Sequence, residues 1–138
     1  MTVGTHGSTF GGNPLAMAAA GALLDEVLAD GFLERVRRTA LVLKQKLAEI
    51  KDRYPAVIAE VRGEGLLIGL RAVVPSADLV DELRAEKMIT VAAGDNVVRL
   101  LPPLIVSEDE VAEAVRRIDR ACARITKATT PREREAAR

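Results

Sequence analysis

The sequence predicts an α+β fold: a small antiparallel or mixed sheet with helices on one face, preceded by a long helix. Two observations carry that prediction. Apolar residues recur at helical spacing in separate segments, with strand-like runs between them, in the order two helices, two strands, a helix, two strands and a helix. Residues that favour turns or caps stand at the junctions, where the chain has to change direction. No internal repeat is visible in this order.

Residues 1–13, MTVGTHGSTFGGN, read as a loop rich in Gly, Ser and Thr. Asn13-Pro14 then starts a helix, because Asn is a favoured cap and Pro suits the first helical position. This helix should run from Pro14 to about Leu28, and its opening PLAMAAAGALL is small or apolar on every side. A helix apolar all round needs cover all round. The rest of the chain is too small to wrap it, which implies a partner or a further domain. Asp30-Gly31 breaks the helix. A second helix follows from Phe32 to Arg53, with Leu33, Val36, Ala40, Leu43, Leu47 and Ile50 as one apolar stripe. Arg35, Arg37, Arg38, Lys44 and Lys46 lie off that stripe and read as a solvated face.

Tyr54-Pro55 ends the second helix. Residues 57–73 read as two strands bent at Gly63-Glu64-Gly65. Ser76 is placed to cap a short helix, about Ala77 to Glu86, that turns Leu79, Val80 and Leu83 inward. Residues 88–93 and 97–101 form two more strands around the turn Gly94-Asp95-Asn96. Ser107 and Glu110 make a capping box for the last helix. Its stripe is Val111, Val115, Ile118, Cys122 and Ile125. Residues 126–138 have little to bury and read as a disordered tail. The expected organisation is therefore a loop (1–13), a helix (14–30), a small domain (31–125) and a tail (126–138).

Composition excludes several function classes. The 20 Lys and Arg balance the 20 Asp and Glu, so the net charge is zero and nothing favours a nucleic-acid partner. Aromatic residues are 2% of the chain with no Trp, too few for a base-stacking surface. The single cysteine, Cys122, can form no internal disulfide, which fits a reducing compartment. No apolar run is long enough to span a bilayer, and no basic-then-apolar leader opens the chain. The expected location is cytoplasmic, with no membrane partner. His6 is the only histidine, so no metal site is expected, and no G-x-S-x-G nucleophile elbow is present. Cys122, Met17 and Met88 read as packing residues.

Two segments have the chemistry of anion sites. In Gly7-Ser8-Thr9-Phe10-Gly11-Gly12-Asn13-Pro14 the glycines let backbone N–H groups converge, the Ser8 and Thr9 hydroxyls can donate, and a helix starts directly behind. Asn13-Pro14 stands where a nucleotide-binding P-loop needs Lys-Ser/Thr, so that reading fails. The same composition also describes a plain loop capped into a helix. In Val97-Val98-Arg99-Leu100-Leu101, alternation puts Arg99 on the face of Val97 and Leu101. A guanidinium on an apolar face needs an anion. A substrate carboxylate would serve, and so would a neighbouring Asp or Glu.

The string from His6 to Ala16, HGSTFGGNPLA, resembles a signature of the class III, fold-type I aminotransferases, which depend on pyridoxal 5'-phosphate (PLP). Residues 94–104, GDNVVRLLPPL, resemble their C-terminal segment, and residues 61–69, VRGEGLLIG, a third one. The likeness keeps segment order from about residue 1 to 125. It implies that residues 31–125 are the C-terminal small domain and 14–30 an interdomain helix. It implies that the loop lies at a homodimer interface, where Thr9 binds the phosphate of the PLP held by the second subunit. By the same likeness Ser8 touches the acylated substrate, Arg99 grips the substrate α-carboxylate, and His6 helps to shape the phosphate site. Gly63 and Gly65 take structural roles.

Among family branches the strings look closest to acetylornithine aminotransferases. These move an amino group from N2-acetyl-L-ornithine to 2-oxoglutarate in arginine biosynthesis. The ornithine, succinylornithine and 4-aminobutyrate branches stay open. The family also uses a Schiff-base Lys and an acidic residue at the pyridine nitrogen, both ahead of the Gly-Ser-Thr loop. None of Lys44, Lys46, Lys51, Lys87 and Lys127 matches that position, and residues 1–6 contain neither Lys nor an acid. The resemblance therefore assigns no catalytic residue here. It implies an N-terminal PLP-binding large domain as a partner, a chain inert alone, and a Met1 that is internal to a longer reading frame or a chosen start. The rival readings are a non-enzymatic domain that binds a partner through its apolar first helix, and a bare anion-binding module.

Overall fold

The structure, a computed structural model, describes residues 7–136, with side chains described over residues 7–128. The chain divides into two units, Met1–Arg35 and Val36–Arg138.

In the first unit the loop leads into α1 (Pro14–Val27). Asn13 caps it as its sequence position suggests: Oδ1 accepts from the Ala16 N–H at 2.9 Å, and Nδ2 donates to the Phe10 carbonyl at 2.7 Å. No residue of α1 is buried. Leu15 is 81% exposed and Met17 54%, so Met17 does not pack as expected. The apolar sequence of this helix is thus left without cover. α2 (Phe32–Arg53) starts in this unit. Phe32, not Leu33, is buried, because the stripe steps back four residues from Val36 rather than three. The Arg35 guanidinium lies 5.0 Å from the centroid of the Phe32 ring.

The second unit holds the core. Val36, Ala40, Leu43, Leu47 and Ile50 of α2 are buried, as their spacing predicts. Then follow β1 (Ile58–Glu64), β2 (Leu67–Ala72), α3 (Ser76–Ala85), β3 (Val91–Ala93), β4 (Val97–Leu100) and α4 (Glu108–Ala136). The four strands form one sheet in the order β1-β2-β4-β3, with every pair antiparallel. One sheet face carries the buried Ile68, Leu70, Val98 and Leu100. Leu43 of α2, Leu100 of β4 and Val111 and Ile118 of α4 line a small cavity of about 130 Å3, so helices cover this face.

Local chemistry sets the boundaries. Gly63 has φ +126°, and a Cβ there would stand 2.1 Å from the Leu67 carbonyl oxygen, so only glycine fits this bend. Lys44 of α2 donates to the Gly63 carbonyl at 2.8 Å. Ser76 does not cap α3 with its side chain. Pro75 is the cap residue, and the Ser76 N–H donates to Asn96 Oδ1 at 2.8 Å instead. α3 ends with Lys87 at φ +61°. The Lys87 and Met88 N–H groups bond back to the Arg84 and Leu83 carbonyls, which takes Met88 out of the expected strand. The Ser107–Glu110 capping box forms in both directions, at 2.8 and 3.2 Å. α4 continues to Ala136, beyond Thr126 where a tail was expected. Extending a helix already nucleated costs less than starting one. No helix among the described residues is long and apolar enough to cross a membrane.

Candidate functional site

Arg99 sits on the interior strand β4, opposite Gly69 of β2 on one side and Val91 of β3 on the other. Alternation pairs it with Val97, as expected, but that face is the open one. Val98 and Leu100 take the core side, so Arg99 is exposed rather than buried. Leu101 lies past the strand end and is 67% exposed. Among the described residues the Arg99 side chain makes no hydrogen bond or ion pair. It borders a shallow recess of about 340 Å3 together with Arg62, Glu64, Leu67, Gly69 and Val97. Arg62 is already paired with Asp95 at 3.1 Å. A guanidinium free of acidic partners can take a carboxylate through two parallel hydrogen bonds.

The loop presents different chemistry. Ser8 and Thr9 are both exposed, and their hydroxyls bond to no described residue. Gly12 turns the backbone at φ +76°. A Cβ at Gly11 would stand 2.9 Å from Ser8 Oγ, so the glycine lets the serine lie close. Asn13 spends Oδ1 on the helix start and Nδ2 on the Phe10 carbonyl of the loop, which leaves the two hydroxyls as the loop's unused side-chain donors among the described residues. Residues 7–13 contain no cation. The loop can offer hydroxyl donors to an oxyanion but brings no cation of its own. His6 lies outside the described residues. Ser8 and Thr9 belong to the first unit and Arg99 to the second.

The remaining titratable groups have structural jobs. Burial, with a smaller push from Asp119, raises the Cys122 thiol to about 12, so it is a packed and unreactive group. No cluster of His, Cys, Asp and Glu among the described residues could hold a metal. Two features escaped the sequence reading. Arg62 reaches across the sheet to Asp95. Asn96 Nδ2 donates to the Ala72 and Val74 carbonyls at 2.8 Å each, tying the β3–β4 turn to the end of β2. For Arg62 the sequence offered only its parity within the strand; its glycine neighbour on β2 comes from the register.

In class, this is an α+β domain that keeps its helices on one sheet face and an unpaired arginine on the other, joined to a hydroxyl-bearing loop and an uncovered apolar helix. The family profile Aminotransferase class-III matches residues 1–122. Acetylornithine aminotransferase 1 of Bradyrhizobium diazoefficiens is 61% identical over 132 residues, which cover 96% of this chain and 33% of that protein. The acetylornithine aminotransferase of Agrobacterium fabrum is 59% identical over 126 residues, 91% of this chain and 32% of that protein. Among solved structures, acetylornithine aminotransferase from Elizabethkingia anophelis aligns with a TM-score of 0.78 at 29% identity, over 90% of this chain and 33% of that one. Ornithine aminotransferase from Toxoplasma gondii ME49 aligns at 0.79 and 30% identity, over 93% and 31%. The chain belongs to the class-III aminotransferase family, whose members depend on PLP. It spans about a third of the length of the curated relatives it matches.

Proposed function

We propose that this chain supplies the small domain and interface loop of a cytoplasmic, homodimeric, acetylornithine-type aminotransferase. The reaction is transfer of an amino group from N2-acetyl-L-ornithine, or a related ω-amino compound, to 2-oxoglutarate in arginine biosynthesis. The single observation that carries this reading is Arg99, left without an acidic partner on the open sheet face beside a recess of about 340 Å3. Its guanidinium receives the substrate α-carboxylate and fixes the orientation of the reacting amino acid. The Thr9 hydroxyl donates to the phosphate of the PLP held by the second subunit, and Ser8 faces the acyl group. PLP, when bound, supplies an electron sink for charge developing on the substrate carbon. The large domain supplies the covalent lysine, so the chain alone is inert.

The test joins this chain to the upstream two-thirds of the Bradyrhizobium relative. The joined enzyme should transaminate N2-acetylornithine, and Arg99→Gln should raise KM about tenfold or more, since a charged hydrogen bond contributes about 1.5–3 kcal/mol. The lone chain with PLP should give no transamination above a no-protein control. An active lone chain, or an Arg99→Gln enzyme with unchanged KM, would overturn the assignment. The exposed Leu15, Leu23, Leu24 and Leu28 of the first unit favour a second reading, a non-enzymatic domain that docks a partner. An inactive joined enzyme that still dimerises would support it.

A further inference from the structure

Arg62, Gly69 and Arg99 occupy one line across the sheet. The register pairs Arg62 with Gly69, and Gly69 with Arg99. The two arginines are therefore two strand spacings apart, roughly 10 Å, on the same open face. Gly69 leaves the space between them without a side chain. A Cβ at Gly69 would stand 3.6 Å from Arg62 Cγ, 3.9 Å from Arg62 Nε and 2.9 Å from Val97 Cγ1. The Arg62 side chain thus runs over Gly69, and its Nη2 meets Asp95 Oδ2 at 3.1 Å in the turn that leads into β4.

We propose that Arg62 and Asp95, joined across Gly69, are positioning residues for Arg99. This rests on the reading of Arg99 as the carboxylate anchor. The strap starts on β1, crosses β2 and ends at the head of β4. Beneath it lies Val97, only 5% exposed although it is on the open face, and next to Arg99 on that face. The turn is built on Asp95 and Asn96 at left-handed φ values, +61° and +54°, which these residue types tolerate, and it is also tied on both sides. Asn96 ties it to β2 from one side, and Asp95 ties it to β1 from the other. The pair also neutralises the second guanidinium beside the recess, so Arg99 stands as the one whose charge is not already met there. Both members are substantially exposed, at 44% and 59%, so the pair contributes little to stability. Its effect should fall on how Arg99 is presented.

The test uses the joined enzyme described above. Arg62→Gln and Asp95→Asn should each raise KM for the amino donor about fivefold with kcat nearly unchanged, a smaller effect than losing the anchor itself. The double variant should be no worse than either single one, because the two residues act as a unit. Arg62→Lys should recover part of the loss. Gly69→Ala, whose Cβ would press on Val97 Cγ1 at 2.9 Å beneath the strap, should raise KM in the same way. Arg84→Gln, which breaks an exposed ion pair of 2.8 Å to Asp81 on α3, should change neither KM nor Tm. In the lone chain, the Nε–Hε resonance of Arg99 should shift in both strap variants, with Tm held. An unchanged KM in Arg62→Gln and Asp95→Asn, with KM raised in Arg99→Gln, would overturn the strap alone. Unchanged KM in all three would overturn the anchor reading as well.

Discussion

α1 and α2 are neighbours in sequence, yet they solve opposite problems. α2 confines its apolar residues to one stripe, and from Val36 onward that stripe is buried; Leu47 has no exposed surface at all. α1 is apolar around most of its circumference and buries nothing, with Leu23 64% and Leu24 55% exposed. A patterned helix needs one partner surface, and this chain contains it. An unpatterned apolar helix needs cover on every side, and exposing such a patch marks a surface meant for another body. The domain that carries Arg99 is self-sufficient in its core, whereas the element behind the Ser8–Thr9 loop is not.

The largest expected effect separates the two helices directly. Leu47→Ala should destabilise the chain by about 2–5 kcal/mol, the usual result of emptying a packed site. Leu23→Ala should stay within about 0.5 kcal/mol, as surface changes do. Urea denaturation followed by circular dichroism measures both. Equal losses would mean that α1 is packed in solution and would break the contrast.

A middle-sized effect compares the two caps. Ser107→Ala removes one half of the reciprocal box that starts α4, a helix built into the core, and should cost about 1 kcal/mol. Asn13→Ala removes the bond from the Ala16 N–H and the one to the Phe10 carbonyl, but in a helix that buries nothing. It should leave the global denaturation midpoint unchanged and instead raise amide exchange at Ala16. A shift of the midpoint by Asn13→Ala as large as that by Ser107→Ala would join the two units energetically.

The pattern-driven parts of this fold were legible in the sequence. The bounds of α2, the stripe of α4 apart from the half-buried Val115, the inward Leu79, Val80 and Leu83, and the caps at Asn13 and Ser107 follow from spacing and side-chain chemistry over a few residues, whereas the cap expected of Ser76 does not form. What sequence did not yield depends on the sheet. The side of the sheet on which Arg99 lies is decided by whether residues 97 and 99 or 98 and 100 meet the helices, and both sets contain a valine. The Arg62–Asp95 strap requires the register of three strands. Asn96 looked like an ordinary turn residue, although its side chain holds the end of β2 and the start of α3 together. For the site, the residue types were readable, and the resemblance supplied their roles. That Arg99 makes no ion pair among the described residues, although Glu64 lines the same recess, was visible only in three dimensions.

The smallest expected effect concerns acid, and it also sets the two regions apart. α3 and α4 are fastened by carboxylates. Glu86 accepts from Arg120 Nε at 2.6 Å and from Arg124 Nη1, and Glu82 accepts from Arg124 Nε at 2.6 Å. The hydrogen bond from Arg120, and then that from Arg124, hold the Glu86 carboxyl below the usual carboxylate range. Arg117 and Arg116 do the same for Glu113, and the Ser107 N–H and hydroxyl for Glu110. A group depressed in the folded state binds its proton more readily when unfolded. Its contribution is complete above the unfolded pKa and is lost as pH falls through the lower folded one. The fastening between α3 and α4 should therefore weaken as pH drops from about 5 towards 3. Cys122 reports this, because it is fully buried on α4 beside that fastening. Its labelling by a disulfide reagent that reacts in acid should be slow at pH 6 and should accelerate over that window. Glu86→Gln should flatten part of the acceleration, because its side chain no longer titrates. If Glu86→Gln left the pH dependence untouched, the α3–α4 carboxylates would not be the acid-sensitive element, and the second unit would open elsewhere first.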